Sequence, residues 1–184
     1  MALDFEKPLE EIESRIAELK TLNDKADASF DTEIAALEKK LHSTSKRVYP
    51  AIGPWETVQI ARHPERPLLR DYIAGLCSEF LELHGDRCFG DDQGIIGGFA
   101  TLRQHRIMII GHQKGKTVEA NIKANFGMAS PDGYRKALRL MKLAAKYKLP
   151  IVSFIDTPGA YPGMEAEARG QAEAIARNLT EMST

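Results

Sequence analysis

The chain has 184 residues, a net charge of −1, 43% hydrophobic and 28% charged residues, a balance that excludes a disordered chain and leaves room for one moderate α/β domain plus an appendage. No apolar run approaches the ~20 residues of a membrane helix, and the opening Met1-Ala2-Leu3-Asp4-Phe5-Glu6 is acidic and lacks the apolar centre of an export signal. The two cysteines, Cys77 and Cys88, have no metal-type spacing, which argues against a zinc site and a disulfide framework and suits a reducing cytosol.

Residues 4–48 read as two helices. Phe5, Leu9, Ile12, Ile16 and Leu19 recur at helical spacing, and Phe30, Ile34, Leu37 and Leu41 repeat the rhythm, so each helix carries one apolar stripe. The polar stretch Asn23–Ser29 breaks the pattern, and an antiparallel hairpin over 1–48 follows. Its stripes need each other or another subunit, which suggests an assembly role rather than chemistry. Residues 49–84 form a helical linking region. Pro50, Pro54, Pro64 and Pro67 break its first part into short pieces. His63, lying before Pro64, reads as a packed or capping residue. A helix is expected from Leu69 to Leu83 with Cys77 on its buried face as an inert thiol.

At Gly85 the character changes. Ile95–Leu102 and Arg106–Gly111 read as two strands joined by a short turn. A helix is expected over 132–148, capped by Ser130, with Pro131 in its first turn and Asp132 at the positive dipole end. The apolar run Ile151–Ile155 is a buried strand, and strand–helix–strand makes a parallel βαβ crossover. A last helix, about 165–182, turns Ala168, Ala172, Ile175, Ala176 and Leu179 inward. No strand follows it, so the domain of residues 85–184 is expected to be incomplete.

Charge is unevenly spread. From Arg103 to Lys148 there are eleven basic residues and two acids, Glu119 and Asp132, leaving the rest of the chain at −10. Such a strip is either a set of solvated helix faces or a surface beside a polyanion. No aromatic or glycine-rich signature of nucleic-acid binding accompanies it.

Two segments carry the chemistry. Residues 111–131, between a strand and its crossover helix, form a connection of functional length with a short helix over 117–125. The run Asp156-Thr157-Pro158-Gly159-Ala160-Tyr161-Pro162-Gly163 follows the next strand, where parallel sheets place their ligands. Its prolines stiffen the turn and its glycines admit a substrate to the backbone, the ingredients of a main-chain oxyanion site. A competing reading pairs Gly111-His112-Gln113-Lys114-Gly115-Lys116-Thr117 with Asp156-Thr157-Pro158-Gly159 as a nucleotide hydrolase. The phosphate loop, however, needs four residues between its glycines and has three.

The Asp156–Gly163 run, Ile109–Gly115, Asn125–Met141 and Glu173–Leu179 together resemble the carboxyltransferase alpha subunits of multisubunit acetyl-coenzyme A carboxylases, and the likeness extends to Leu3–Pro8 and Ile60–Pro64. The resemblance implies an α/β fold of the ClpP/crotonase-like spiral type, built of ββα units. It implies transfer of a carboxyl group from carboxybiotin to acetyl-CoA, giving malonyl-CoA for fatty acid synthesis in the cytoplasm. Implied partners are a zinc-ribbon beta subunit in an α2β2 assembly, a biotin carboxyl carrier protein and a biotin carboxylase, which uses the ATP. No metal is implied on this chain. Gly159 and Ala160 become the catalytic backbone amides, and Thr157, Pro158, Tyr161, Gly163, Lys114, Gly127, Gly133 and Arg135 the substrate-binding set. A further glycine-rich run of the family is absent from these 184 residues, so the polypeptide by itself is expected to be inactive. A nonenzymatic assembly module is the alternative.

Overall fold

The computed structural model describes residues 3–23 and 29–183. The chain divides into two compact units, Met1–Arg66 and Pro67–Thr184.

The first unit is built on α1 (Lys7–Asn23) and α2 (Asp31–Val48), followed by the short α3 (Pro54–Ala61). Leu9, Ile12, Ile16 and Leu19 are buried, and the last three pack with Ile34, Phe30, Leu37 and Leu41. The two stripes therefore cover one another. Asn23 meets Asp31 at one end and Tyr49 donates to Glu6 at 2.8 Å at the other, so the helices are antiparallel. That bond to a carboxylate, with burial, pushes the Tyr49 phenol up to about 12. Most of the polar break between the helices, residues 24–28, lies outside the described residues, as do Met1 and Ala2. His63 Nδ1 accepts the Glu65 N–H at 3.2 Å, a local turn contact.

The second unit opens with α4 (Leu69–Leu76), and here the expected helix to Leu83 is corrected. It stops at Leu76, and Cys77–Glu82 is a strand, β1, pairing antiparallel with β2 (Ile95–Leu102). The apolar spacing suited both periods. Tertiary pairing decided it, since Phe80, Leu81 and Glu82 find partners in Ala100, Phe99 and Gly98. Cys77 is accordingly half-buried on a strand, with its thiol pushed up by burial.

β2 pairs antiparallel with β3 (His105–His112), which pairs parallel with β4 (Ile151–Phe154), in the order β1-β2-β3-β4. Alternation along the central strands sends side chains to two layers. Ile95, Met108 and Ile110 pack on Ala137, Leu140 and Ala144 of α6 (Pro131–Lys146). Ile96, Ala100, Ile107 and Ile109 pack on Leu69 and Ile73 of α4. Each fully buried Ile, Leu or Met among these contributes roughly 1.5–3 kcal/mol. The β2–β3–α6 sequence is one ββα unit, and β3–α6–β4 is the expected parallel crossover.

Two further expectations change. β4 is half-buried rather than buried: it lies at the sheet edge among the described residues, and Ile155 just beyond it is 82% exposed. The last helix is broken. α7 (Met164–Ala168) and α8 (Gln171–Met182) are separated at Gly170, which takes a left-handed φ of 80°. The break resets the helical phase, so Ala166, Gln171 and Ala174 face inward while Leu179 is 69% exposed. Ala168, Ala172 and Ala176 are likewise exposed and Ile175 is half-buried.

Candidate functional site

Because β3 and β4 are parallel, with Gly111 opposite Phe154, the segments leaving their carboxyl ends emerge side by side. Lys114 follows one strand and Asp156 the other, and Lys114 Nζ lies 2.5 Å from Asp156 Oδ1. The Lys114 stem also lies across Gly127, whose φ of 77° and lack of a Cβ allow that approach. The Thr157 hydroxyl sits 2.6 Å from the Gly127 carbonyl and accepts the Gly159 N–H at 3.1 Å. Tyr161 N–H donates to the Ala129 carbonyl at 3.0 Å. The two segments singled out from the sequence are thus bonded to one another at both ends of the turn.

Within the run, Pro158 and Pro162 have no N–H, Gly159 N–H is taken by Thr157, and Tyr161 N–H by Ala129. The Ala160 N–H has no partner among the described residues, and nothing stands within 4 Å of where a Gly159 Cβ would be. Asp156, Thr157 and Gly163 N–H are likewise without a partner among the described residues, but only Ala160 N–H adjoins the open Gly159. Of the two amides expected there, geometry favours Ala160. The place of a Gly163 Cβ is filled by the Tyr161 ring and Glu165, so Gly163 is where the ring packs. The Glu165 carboxylate bonding Tyr161 raises the phenol above its usual range.

His112, at the end of β3, is half-buried and its Nδ1 has no partner. Burial pushes its imidazole below the usual histidine range, with Asp156 opposing that effect.

Gly133 and Arg135 sit elsewhere, in the first turns of α6 against the loop 84–94. The place of a Gly133 Cβ is occupied by the Asp92 carboxylate. Arg135 Nε donates to Asp86 at 2.7 Å and its Nη1 to the Arg169 carbonyl at 3.2 Å. Ser130 occupies the N-cap position of α6 without capping it. Its backbone N–H donates to Asp92 at 2.7 Å and its hydroxyl lies 3.2 Å from Asn125 Nδ2. Desolvation raises the Asp92 carboxyl against the two backbone bonds it accepts.

Five of the eleven basic residues of the strip are paired with acids. Lys114, Lys116, Arg135, Lys136 and Lys142 each meet a carboxylate, of Asp156, Asp71, Asp86, Asp91 and Glu181. Arg139 donates to the His84 and Gly85 carbonyls. Part of the surplus of positive charge in this stretch is answered by acids folded against it. The same holds for the phosphate-loop reading, in which Gly115 N–H donates to Asn121 and Thr117 caps α5 (Val118–Lys123).

One residue of this site was not legible beforehand. Gln171 Nε2 bonds both the Ala129 and the Tyr161 carbonyls, at 2.9 and 3.0 Å. Its position at the start of a helix, far along the chain from Ala129, carries no sequence signal of that contact.

The structure resembles a single-chain, multi-domain long-chain acyl-CoA carboxylase with a TM-score of 0.50 at 21% identity, over 65% of this chain and 12% of that one. The fold is thus of the crotonase-like α/β class. Residues 2–184 match the family described as acetyl co-enzyme A carboxylase carboxyltransferase-like, and the chain belongs to that family. Among its relatives are the acetyl-coenzyme A carboxylase carboxyl transferase subunits alpha of Halalkalibacterium halodurans and Anoxybacillus flavithermus, 53% and 55% identical over 98% of this chain. The chain spans 56% of the length of each. No helix among the described residues is long and apolar enough to cross a membrane.

Proposed function

We propose that this chain supplies the biotin-side wall of a carboxyltransferase that converts acetyl-CoA to malonyl-CoA in the cytoplasm. Its partners are a zinc-ribbon beta subunit, in an α2β2 assembly, and a biotin carboxyl carrier protein charged by a separate ATP-using biotin carboxylase. The hairpin 1–48 serves assembly, and the site lies in 85–184, within a compact unit to which α4 and β1 also belong. The observation behind the reading is the Ala160 N–H, without a partner among the described residues and next to the open Gly159, on a turn held by Thr157 and Tyr161, in a chain of this family.

Biotin fits that turn, because an anionic ureido or carboxylate oxygen needs a donor and an unobstructed approach, and Ala160 and Gly159 offer both. When bound, carboxybiotin would supply the carboxyl group that is transferred to the acetyl methyl carbon. Ala160 N–H stabilises the developing negative charge. Thr157, Pro158, Tyr161 and Gly163 keep the turn rigid, and Lys114 and Gly127 brace it from the neighbouring segment. Gly133 and Arg135 support the wall from behind by holding the loop 84–94.

Reconstitution of the full-length subunit with beta and biotinylated carrier tests this. Malonyl-CoA should form, and Ala160→Pro, which deletes the amide hydrogen, should lower kcat by roughly 100- to 1,000-fold without loss of fold. An inert wild-type pair, or an unimpaired variant, would sink the reading. A polypeptide of these 184 residues, about half the length of its relatives, is expected to show no turnover alone.

A further inference from the structure

We infer that Gln171 is a positioning residue for this site: its carboxamide staples together the two backbone segments that form it, and so holds the Ala160 amide in place. The inference rests on the proposed function for what the amide does, but on geometry for what Gln171 does.

Gln171 is the first residue of α8 and only 6% exposed. Its Nε2 donates at 2.9 Å to the carbonyl of Ala129, just before α6, and at 3.0 Å to that of Tyr161, within the turn after β4. The same two residues share the Tyr161 N–H to Ala129 bond at 3.0 Å. An amide nitrogen carries two hydrogens, one for each carbonyl. A carboxylate in this place would set an acceptor against two acceptors, and a hydrocarbon would leave the Tyr161 carbonyl without a donor and the Ala129 carbonyl with the Tyr161 N–H alone.

Packing alone does not account for the residue. Gln171 Oε1 is buried with no partner among the described residues, an unfavourable state that a hydrocarbon of similar volume would avoid. The donor half of the group is what the fold uses. The left-handed Gly170 is the second part of the device. By ending α7 and restarting the helix at Gln171, it turns this side chain inward at the level of Tyr161.

The first test uses the 184-residue chain and needs no activity. Amide exchange at Tyr161 should accelerate roughly tenfold or more in Gln171→Leu and in Gln171→Glu, while amides in β2 and β3 keep their protection. Unchanged Tyr161 exchange overturns the inference. If the leucine variant does not fold, the nearly isosteric glutamate decides alone. The second test puts both changes in the full-length subunit with its beta partner and runs the reaction backwards, from malonyl-CoA and free biotin. The kcat/KM for biotin should fall about tenfold or more with KM for malonyl-CoA within about twofold. Lowering the pH should partly restore Gln171→Glu, whose protonated carboxyl can donate to one carbonyl, and should not restore Gln171→Leu. A role in volume alone would leave Gln171→Glu intact at every pH. An inert wild type in this assay would count against the proposed function, with the exchange result still deciding the role of Gln171.

Discussion

Asp86 accepts four hydrogen bonds, from the backbone N–H groups of Cys88, Phe89 and Gly90 and from Arg135 Nε, at 2.7–3.0 Å. Its side chain is 1% exposed. Burial opposes its ionisation, yet the Arg135 guanidinium and the three amides outweigh that and hold the carboxyl at about 2. A carboxyl depressed on folding stabilises the protein above its unfolded value, and that contribution is lost as pH falls toward the folded one. Asp86→Asn should therefore cost roughly 2–3 kcal/mol at neutral pH, and the gap to wild type should narrow as urea titrations are moved from pH 5 toward pH 2. A gap independent of pH would show that the amide bonds survive the substitution and that ionisation of Asp86 contributes nothing.

At the scale of elements, the loop 84–94 is clasped by one face of α6. Lys136, 2% exposed, bonds Asp91 and the Asp92 carbonyl, and Arg135 and Arg139 reach Asp86 and the carbonyls of His84 and Gly85. The Arg169 guanidinium, paired with Asp132, lies 4.1 Å over the Phe89 ring and closes the loop from the α7 side. Through Asp92 and Ser130 N–H the clasp reaches the segment that holds Tyr161. Lys136 is buried but the Asp91 side chain is 28% exposed and also accepts the Gly85 N–H, so removing the lysine leaves a partly solvated carboxylate, at a cost of about 1–3 kcal/mol. Lys136→Met should show a loss of that order in equilibrium unfolding, and adding Asp91→Asn should recover a large part of it. Strict additivity of the two changes would mean that the pair is not coupled.

For the molecule as a whole, each compact unit has a core of its own: Ile12, Ile16, Leu19 and Ile34 in the first, and the two faces of the sheet in the second. Truncating a buried leucine costs about 2–5 kcal/mol through lost transfer energy and the cavity left behind. Leu19→Ala should accordingly reduce amide protection along α1 and α2 while β2, β3 and α6 are unaffected. Loss of protection spread evenly through both units would refute their independence.

Several features needed only the order of residues. The hairpin stripes, β2 and β3, the crossover helix and the Asp156–Gly163 turn are local patterns, since periodicity and the positions of Pro and Gly follow from neighbours in the chain. Long motifs in order made the family legible as well. What tertiary structure decided was everything set by contacts across sequence. Cys77–Glu82 fitted either period until β2 offered it partners. The phase of α8 depended on a left-handed residue that a helical pattern does not reveal. The charged strip looked available until acids distant in sequence folded onto five of its eleven basic residues. Gln171 belongs with these, because a buried amide acquires a task only from the two carbonyls brought to it.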